Sequence, residues 1–459
     1  MRLFDPSDSR PVHFMGIAGA GMSALALIAR RRGVSVTGCD LEVRDAADLV
    51  RDGVPVLRGH DAAHVVGARA VVHTSAVPAH HDELRAAATA GIPVVKRAVA
   101  LGELVNGKTV VGVAGTHGKT TTTAMTVEGL TAAGCRPTGL VGGRVATWGG
   151  NAKLDGDDLF VVEADEYDRS FLALDPTVAI VNNVEADHLE CYGSLDALEA
   201  AFVEFANRAE RVLIGVDDRG ASRLVERLSV PVWTVGLQEN ADVRVDVISR
   251  GREGSRVCYT IVGRPSVEAL IPVPGLHNVR NAAMAIAACA ALDADVQAAA
   301  RALEHFGGVG RRFDVLGTHR GVTVVDDYAH HPSEVVATIA AARQRFPDAR
   351  LLVVFQPHLF TRTRDHAESF GISLSTADKI FVTDVYPARE RPIPGVTGRL
   401  VVEAVERAGA EVDWVPDRSK IPDRLVECTT AGDVVLMLGA GSITETAAAL
   451  VQRLAAAAA

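Results

Sequence analysis

The amino-acid sequence predicts an α/β protein built from three doubly wound domains. Three observations support this fold class. Short apolar strand patterns alternate with helical patterns along the whole chain, and Gly-rich or polar turns follow the strands. The 459 residues also exceed what one hydrophobic core usually serves. We place the three domains at residues 1–106, 107–313 and 314–459.

The composition is that of a globular protein and argues against several functional classes. Apolar residues make up 48% and charged residues 23% of the chain. The net charge of −10 disfavours a nucleic-acid or anionic-membrane partner. The sequence shows no secretory signal pattern, no apolar run of about 18 residues and no C-x-x-C pair among its six cysteines. We therefore expect a cytoplasmic protein with free thiols, as a monomer or weak homodimer.

The first predicted domain opens with a Gly-rich turn that suits a nucleotide ligand. Residues 12–17 read as a buried strand, Gly16, Gly19 and Gly21 form the turn, and a helix follows. The glycine order G-x-x-G-x-G departs from the G-x-G-x-x-G of NAD-binding turns, so a nucleotide-sugar diphosphate fits as well as NAD. Asp40 ends the next strand, where it suits a sugar hydroxyl. A tight turn without a ligand is the alternative.

The second predicted domain begins with a phosphate-binding pattern. An apolar run over residues 110–114 leads into Gly115, Thr116, His117, Gly118, Lys119, Thr120 and Thr121. Backbone N–H groups at the start of a helix bind phosphate, and a Lys and a hydroxyl in this order reach the terminal phosphates and Mg²⁺. Val113 stands where the general pattern has Gly, so this is a shorter variant. The alternative is a strand–turn–helix that binds nothing.

Acidic residues follow the next two predicted strands of this domain. Glu163 ends the strand over residues 159–163, where a carboxylate can bind the Mg²⁺ that bridges two phosphates. Asp187 and His188 follow the strand over residues 178–181 and can hold a second cation or a substrate group. A solvated acidic loop and a structural histidine are the alternatives.

A later helix of the same domain begins with polar residues on one face. His277, Asn278 and Asn281 are three and four residues apart, so they share that face. An Asn side chain can read an adenine edge through its donor and acceptor, although plain N-capping is the alternative.

The third predicted domain carries basic and aromatic residues at its strand ends. Arg311 and Arg312 lie at its boundary, where one guanidinium can clamp a transferring phosphate. Asp327, Tyr328 and His330 crowd the turn after one strand. His358 and Arg362 follow the next strand and can bind a small carboxylate, such as that of an amino acid. Together with the phosphate loop, these sites describe phosphoryl transfer to an acid followed by attack of an amine.

The order and spacing of these motifs resemble the Mur ligases, a family of cytoplasmic, ATP-dependent amino-acid ligases of peptidoglycan synthesis. The resemblance covers about residues 12 to 445 and is strongest to the alanine-adding branch. The motifs that carry it lie at residues 16–22, 73–78, 115–121, 163–166, 187–189, 277–278, 326–332, 356–358 and 384–390.

The resemblance implies a UDP-sugar domain, a central ATPase domain of the P-loop type, and a C-terminal domain that closes over the amino acid. ATP would phosphorylate the lactyl carboxylate of UDP-N-acetylmuramate, and the amine of L-alanine would attack the acyl phosphate. The UDP-sugar would contact Gly16, Gly19, Gly21, Asp40 and Ser75.

By the same resemblance, roles pass to residues of the other two domains. Lys119, His188 and Arg362 would be catalytic, with Thr120 and Glu163 holding one Mg²⁺ and His188 a second. ATP would contact the phosphate loop, Asn278, Arg312 near phosphate and Asp327 near ribose. The amino acid and the acyl phosphate would lie among Tyr328, His330, His358 and Arg362.

Two positions depart from the family pattern. Ligases that add later residues carry a carbamylated, metal-binding Lys where a rough alignment places Phe202, and no Lys lies between Lys153 and Lys379. This absence fits the alanine-adding branch. Many relatives also have Arg where this chain has Leu359, so any role of that Arg is absent or supplied elsewhere.

Three other functions remain open from the sequence. A ligase of the same family that attaches a recycled peptide to the same sugar would use the same motifs. An NAD-dependent oxidoreductase would explain residues 12–40 but leaves Lys119, Thr120 and Glu163 without a role. A nucleotide-binding switch would bind or hydrolyse ATP without responding to a sugar nucleotide.

Overall fold

The computed structural model describes residues 2–43, 46–75, 77–78, 80–388 and 390–456. Ala76 and Arg389, which belong to two of the family motifs, lie outside the described residues. The chain divides into two compact units. The first comprises Met1–Asp246, Val257–Ala269 and Arg280–Phe306, and the second comprises Val247–Arg256, Leu270–Val279 and Gly307–Ala459. The three predicted domain boundaries stay a prediction.

The first sheet is a parallel, doubly wound sheet of five strands. Its strands and helices are β1 (Val12–Met15), α1 (Ala20–Arg31), β2 (Val36–Asp40), α2 (Ala47–Arg51), β3 (Val56–Arg58), a 3₁₀ turn (Ala62–Val65), β4 (Ala70–His73), α3 (Asp82–Thr89), β5 (Val94–Lys96) and α4 (Arg97–Val105). The strand order is β3-β2-β1-β4-β5, so the order reverses at β1 and β4. Met15 lies opposite Cys39 and His73. The Gly-rich turn after β1 therefore shares one sheet edge with Asp40 and Ser75.

The second sheet has ten strands, in the order β15-β14-β13-β12-β11-β10-β6-β9-β7-β8. The elements from β6 to β11 are β6 (Thr109–Ala114), α5 (Lys119–Ala132), β7 (Pro137–Val145), a 3₁₀ turn (Ala146–Trp148), β8 (Gly150–Lys153), β9 (Leu159–Glu163), a 3₁₀ segment (Tyr167–Ala173), β10 (Val178–Val181), α6 (Leu189–Tyr192), α7 (Leu195–Ala206) and β11 (Arg211–Gly215). The remaining elements are α8 (Arg219–Leu224), a 3₁₀ turn (Val225–Arg227), β12 (Val232–Gly236), β13 (Val243–Gly251), β14 (Gly254–Ile261), β15 (Val267–Ile271), α9 (Leu276–Ala291) and α10 (Val296–Leu303).

The third sheet has six strands in the order β16-β17-β21-β18-β19-β20, with an antiparallel edge strand β16. Its elements are β16 (Asp314–His319), β17 (Val322–Asp327), α11 (Pro332–Arg345), β18 (Leu351–Phe355), α12 (Phe360–Leu374), β19 (Lys379–Val382), α13 (Arg399–Arg407), β20 (Val412–Trp414), a 3₁₀ turn (Arg418–Lys420), α14 (Ile421–Cys428), β21 (Val434–Leu438) and α15 (Ile443–Ala456).

Alternating residues of the third sheet bury opposite faces. Val353 and Phe355 belong to one apolar cluster, and Leu352 and Val354 belong to another. Because successive side chains of a strand point to opposite faces, the sheet is covered on both sides, which explains the continuous apolar run of β18. This arrangement confirms the predicted α/β class.

The sequence located most of the parallel strands but missed several others. Apolar runs at residues 70–73, 159–163, 178–181, 351–355 and 434–438 predict strands, and the structure has strands with the same bounds. The strands β3, β7, β8, β11 to β16 and β20 were not predicted. Among the described residues, no helix is both long and apolar enough to span a bilayer.

An aromatic cluster fills the core beside the strand ends of the second sheet. Phe202 of α7 lies fully buried with its ring edge-on to Phe171, at 5.3 Å between centroids. Phe205 stacks on the same Phe171 ring at 5.0 Å. Phe202, which the rough alignment matches to the Lys of later-acting ligases, is therefore an apolar core residue in this chain.

We expect Phe202→Ala to lower the free energy of unfolding by about 3–5 kcal/mol, because it removes a buried ring and leaves a cavity. Chemical denaturation followed by circular dichroism measures this loss. The exposed Glu204→Ala on the same helix is the control, with an expected change within about 0.5 kcal/mol. Equal stabilities of the two variants would contradict the assignment of Phe202 to the core.

Candidate active site

The predicted phosphate loop joins β6 to the first turn of α5. Gly115 has φ +137° and Gly118 has φ +81°, which are conformations that side chains disfavour. A Cβ at Gly115 would lie 2.9 Å from the Cβ of Asn182, and one at Gly118 would collide with the Asn281 side chain. Lys119 is the first residue of α5. The backbone therefore needs glycine at both positions and leads directly into a helix N-terminus.

Two asparagines that follow β10 hold the loop in place. The His117 N–H donates to Asn183 Oδ1 at 2.7 Å, and the Asn182 and Asn183 amides both donate to the His117 carbonyl at 3.2 Å. The Thr116 N–H donates to the Asn183 carbonyl at 3.1 Å. Because β10 pairs with β6 up to Val181, these side chains lie directly beside the loop.

Lys119 is partly buried and donates to acceptors from two segments. Its Nζ donates to the Gly115 carbonyl at 2.6 Å and to both carboxylate oxygens of Glu166, at 2.8 and 2.9 Å. Burial opposes the charge of Lys119, but the carboxylates of Glu166, Asp165 and Glu163 outweigh it and raise the pKa of the ammonium above its usual value. Lys119 is therefore a cation held at the helix N-terminus.

Two of the three predicted metal ligands, Thr120 and Glu163, come from the helix α5 and from the end of the strand β9. Thr120 is buried in the first turn of α5. Glu163 lies opposite Val113 of β6 and accepts from the Gly142 N–H at 2.6 Å. These two residues offer oxygen atoms, which are the donors that Mg²⁺ prefers.

His188 lies at the start of the short helix α6 with a left-handed φ of +55°. Its Nε2 is 3.8 Å from Asp187 Oδ2, and its Nδ1 is 3.6 Å from Glu190 Oε1. Burial disfavours the charged ring, but these carboxylates and Glu166 raise its pKa above the usual value. A strained backbone next to several carboxylates is typical of a functional position.

The turn after β1 uses Asp40 as an internal support. The Gly16 and Ile17 N–H groups donate to the Cys39 carbonyl at 2.8 and 3.1 Å. Asp40 accepts from the Ala18 N–H at 3.0 Å and from the Glu42 N–H at 3.2 Å. The carboxylate thus fixes the turn that opens α1, in addition to any contact with a sugar.

Ser75, predicted to contact the UDP-sugar, lies next to a loop of the second sheet. Its hydroxyl donates to Asp168 at 2.7 Å, and Lys96 donates to the same oxygen at 2.8 Å. Asp168 has a left-handed φ of +52°. The structure therefore joins Ser75 and Lys96 to the segment that follows Glu166.

The two asparagines of α9 have different surroundings. Asn278 is buried, and its amide donates to the Pro274 carbonyl at 2.7 Å. Asn281 accepts from the Thr122 hydroxyl at 3.2 Å, next to Gly118. Asn281 thus supports the phosphate loop, a role that sequence reasoning did not assign to it.

Arg311 and Arg312 both lie near the turn after β17 but have different partners. Arg311 donates to the Gly439 carbonyl at 2.7 Å, and its Nε lies 3.4 Å from Asp326. Arg312 lies 3.9 Å from Glu334. Both guanidiniums lie within 5 Å of the Tyr328 ring centre, at 4.8 and 4.9 Å. Arg311 is therefore held more tightly by backbone and carboxylate than Arg312.

The four residues predicted to bind the amino acid form one continuous cluster. Ring centres lie 5.1 Å apart between Tyr328 and His330 and 5.7 Å apart between His330 and His358. Arg362 is buried on α12, with its Nη1 3.3 Å from His358 Nδ1. Tyr386, which sequence reasoning did not single out, stacks on His358 at 5.8 Å. This cluster offers a cation and ring nitrogens to a small carboxylate.

Sequence reasoning missed supporting residues that the sheet register brings to the loop. Glu166 lies in one of the family motifs, and Asn182 and Asn183 follow the predicted strand over residues 178–181, but none of the three had a predicted role. The signal that identifies them is their position just after β9 and β10, the two neighbours of β6 in the sheet. A sequence does not state which strands are neighbours, so the signal needs the topology.

Asp327 is a buried carboxyl that should make stability depend on pH. It accepts from the Phe313 and Ala329 N–H groups at 2.7 and 2.8 Å. Burial raises its pKa to about 6, although Arg312 and the two N–H groups partly offset this. Between about pH 4 and 6 the native chain keeps a proton that the unfolded chain has lost, so native stability falls as pH rises through this window.

We expect Asp327→Asn to lack this titration. From pH 4 to pH 7 the unfolding free energy of the variant should rise relative to the unmodified chain by up to about 3 kcal/mol, as measured by denaturant unfolding. The exposed Asp348→Asn is the matched control and should show no such change. A constant difference between Asp327→Asn and the unmodified chain across this range would show that the carboxyl titrates normally.

Comparisons with known proteins agree along the whole chain. Three family models match: the Mur ligase family catalytic domain at residues 11–109, the Mur ligase middle domain at 113–289 and the Mur ligase glutamate ligase domain at 311–441. A UDP-N-acetylmuramate–L-alanine ligase of Salinibacter ruber is 43% identical over 451 residues, covering 97% of this chain and 95% of the relative.

Two solved structures extend the comparison to the fold. The UDP-N-acetylmuramate-alanine ligase of Thermotoga maritima superposes with a TM-score of 0.84 at 29% identity, covering 97% of this chain and 99% of the other. A murein peptide ligase of Psychrobacter arcticus gives a TM-score of 0.74 at 26% identity over the same shares of both chains. On this evidence the chain belongs to the Mur ligase family.

Proposed function

We infer that this member of the Mur ligase family joins L-alanine to the carboxylate of UDP-N-acetylmuramate in the synthesis of peptidoglycan precursors. It is an acid–amino-acid ligase, like its full-length relatives. The observation that carries the inference is Lys119, held by Glu166 at the start of α5, in a chain that is similar to an alanine-adding ligase over 97% of its length.

ATP is the nucleotide that fits the phosphate loop. The loop approaches so closely to Asn182 and Asn281 that neither Gly115 nor Gly118 tolerates a Cβ, and its N–H groups open α5. Lys119 supplies a fixed positive charge next to them. A phosphate chain is the anion that such a cradle suits.

Mg²⁺ is the metal that the donor set fits. Thr120 and Glu163 provide a hydroxyl and a carboxylate, which are oxygen donors, and we assign one ion to them. We assign a second ion to His188, although Mg²⁺ prefers oxygen to nitrogen. Asp187, beside His188, offers the oxygen that this position needs. Bound Mg²⁺ would neutralise charge that develops on the transferring phosphoryl group.

The ligation needs two steps on the same carboxylate. The carboxylate oxygen of UDP-N-acetylmuramate attacks the γ-phosphorus of ATP, ADP leaves, and an acyl phosphate forms. The amine of L-alanine then attacks the acyl carbon, loses a proton, and phosphate leaves as the amide forms. Lys119 stabilises the charge of the transferring phosphoryl group in the first step.

The cluster around Arg362 is the place we assign to L-alanine. Its guanidinium is buried and lies beside His358, so a carboxylate there gains a charge-assisted hydrogen bond in a site with little water. Tyr328 and His330 form the next part of the same cluster.

The nucleotide contacts of the second unit are assigned by their surroundings. Arg312 is the arginine we assign to phosphate, since Arg311 is engaged by Asp326 and the Gly439 carbonyl. Asp327 is assigned to the ribose and Asn278 to the adenine.

The turn after β1 is the place we assign to the UDP-sugar. Gly16, Gly19 and Gly21 would face its diphosphate, while Asp40 and Ser75 lie at the same sheet edge and offer oxygen atoms to its hydroxyl groups. ATP and UDP-sugars are made in the cytoplasm, which is where we place the protein, acting as a monomer or weak homodimer.

The test is phosphate release from ATP and Mg²⁺ with UDP-N-acetylmuramate, with and without L-alanine. We expect release that requires both substrates and produces one amide per phosphate. Replacing L-alanine by the peptide L-alanyl-γ-D-glutamyl-meso-diaminopimelate tests the recycling reaction. Faster release with the peptide would overturn the alanine assignment, and release without any sugar nucleotide would leave only a nucleotide-binding switch.

We expect Lys119→Ala to lower kcat by at least about 100-fold, because the transferring phosphoryl group loses its fixed cation. Steady-state phosphate release measures kcat, and circular dichroism confirms folding. Lys108→Ala is the matched control, since Lys108 is exposed and paired with Asp158. A folded Lys119→Ala protein that turns over as fast as the Lys108→Ala protein would refute the placement of the phosphate loop.

A further inference from the structure

Four side chains of types that can bind a metal ion lie together beside β1 and β2 of the first sheet. His13 lies on β1 and Cys39 on β2, while His64 lies in the 3₁₀ turn after β3 and Glu83 in the first turn of α3. One ligand atom from each of these four side chains lies within 4.8 Å of the other three. We call these four residues the His/Cys/Glu cluster. None of them takes part in the reaction proposed above.

We propose that the His/Cys/Glu cluster binds one Zn²⁺ ion through His13, Cys39, His64 and Glu83. The donors are two imidazole nitrogens, one thiolate sulfur and one carboxylate oxygen. Zn²⁺ accepts all three donor types in four-coordinate sites, whereas Mg²⁺ and Ca²⁺ select oxygen.

The distances within the cluster are close to those of a tetrahedral zinc site. Cys39 Sγ lies 3.3 Å from Glu83 Oε1, and His64 Nδ1 lies 2.9 Å from the same oxygen. Zinc–ligand distances of about 2.0–2.3 Å place neighbouring ligand atoms about 3.3–3.8 Å apart in a tetrahedron. Since no two ligand atoms are more than 4.8 Å apart, a shortening of at most about 1 Å brings every longer separation to the upper end of this range.

A network of hydrogen bonds around Glu83 is the alternative explanation of the cluster. Glu83 is fully buried and accepts from the Asp61 N–H at 2.9 Å, and His60 Nδ1 lies 3.3 Å from its Oε2. Such a network provides hydrogen-bond donors for the Glu83 carboxylate but does not explain the burial of His13. The Nε2 atom of the fully buried His13 has no hydrogen-bond partner among the described residues, while its Nδ1 lies 3.0 Å from the Thr37 hydroxyl.

A buried imidazole nitrogen without a partner costs free energy that a metal bond would recover. A neutral imidazole keeps a lone pair on one of its two nitrogens, and this lone pair can form the bond to a metal. The Thr37 hydroxyl then serves the other nitrogen, as partners of metal-bound histidines do.

Zinc binding would release one proton from Cys39 and fill all four coordination positions of the ion. The Cys39 thiol donates to Glu83 in the metal-free chain, so its proton would leave to solvent as the sulfur–zinc bond forms. Four protein ligands leave no open position, as in structural zinc sites. The ion would tie β1 and β2 to α3 directly beside Asp40, which supports the turn after β1.

The test measures zinc in the full-length protein after treatment with a chelator, addition of ZnSO₄ and gel filtration. We expect about one zinc per chain, and a Co²⁺-loaded form with thiolate-to-cobalt absorption in the near ultraviolet. Cys39→Ser, which nearly preserves the side-chain volume, and Glu83→Gln should each weaken zinc binding at least about tenfold. Zinc should also raise the unfolding temperature of the unmodified chain more than that of either variant.

Two control variants separate this site from other thiols and imidazoles. Cys135→Ser and the exposed His305→Gln should bind zinc like the unmodified chain. Absence of zinc from the unmodified chain after gel filtration would overturn the proposal. So would folded Cys39→Ser and Glu83→Gln proteins that keep a full equivalent of zinc, since the ion would then lie elsewhere.

Discussion

The ion pair between Lys119 and the buried Glu166 is the constraint on which the central site depends. The start of a helix carries partial positive charge, so an ammonium buried there is destabilised unless an acceptor lies beside it. Glu166 and the Gly115 carbonyl supply those acceptors at 2.6–2.9 Å. The strained glycines and the two asparagines after β10 then follow, because the loop must keep its carbonyl and its N–H groups in fixed directions.

The same construction recurs in each of the three sheets. In each sheet, chemistry-bearing residues lie at the carboxyl ends of two parallel strands that flank a common neighbour: Asp40 and Ser75 on either side of β1, Glu166 and Asn182 on either side of β6, and Tyr328 and His358 on either side of β21. In open α/β sheets the connections diverge at this edge and leave room for a ligand. Each of the three sheets thus positions its candidate binding residues by the same structural rule.

A feature could be predicted from the sequence when the residues that form it lie close together in the chain. Buried parallel strands such as β18 were located because an apolar run between turns is a local signal. Lys119 was found because glycine, lysine and threonine lie together in the chain. The roles of Glu166, Asn183 and Asn281 escaped, since each depends on strand or helix neighbours that are 47 to 159 residues away. The strands β12 to β15 escaped because they carry weaker apolar runs at the sheet edge.

The charges around Lys119 explain why we propose divalent cations for this site. The ammonium is opposed by Glu166, Asp165 and Glu163, so the carboxylates already outnumber it before any phosphate arrives. A nucleotide triphosphate would add several negative charges to a region of low dielectric, where like charges repel strongly. Glu166 cannot leave, because Lys119 would then lack its buried partner. In the proposed function, additional positive charge therefore enters with the nucleotide, and Mg²⁺ held by the oxygen donors of Thr120 and Glu163 would supply it.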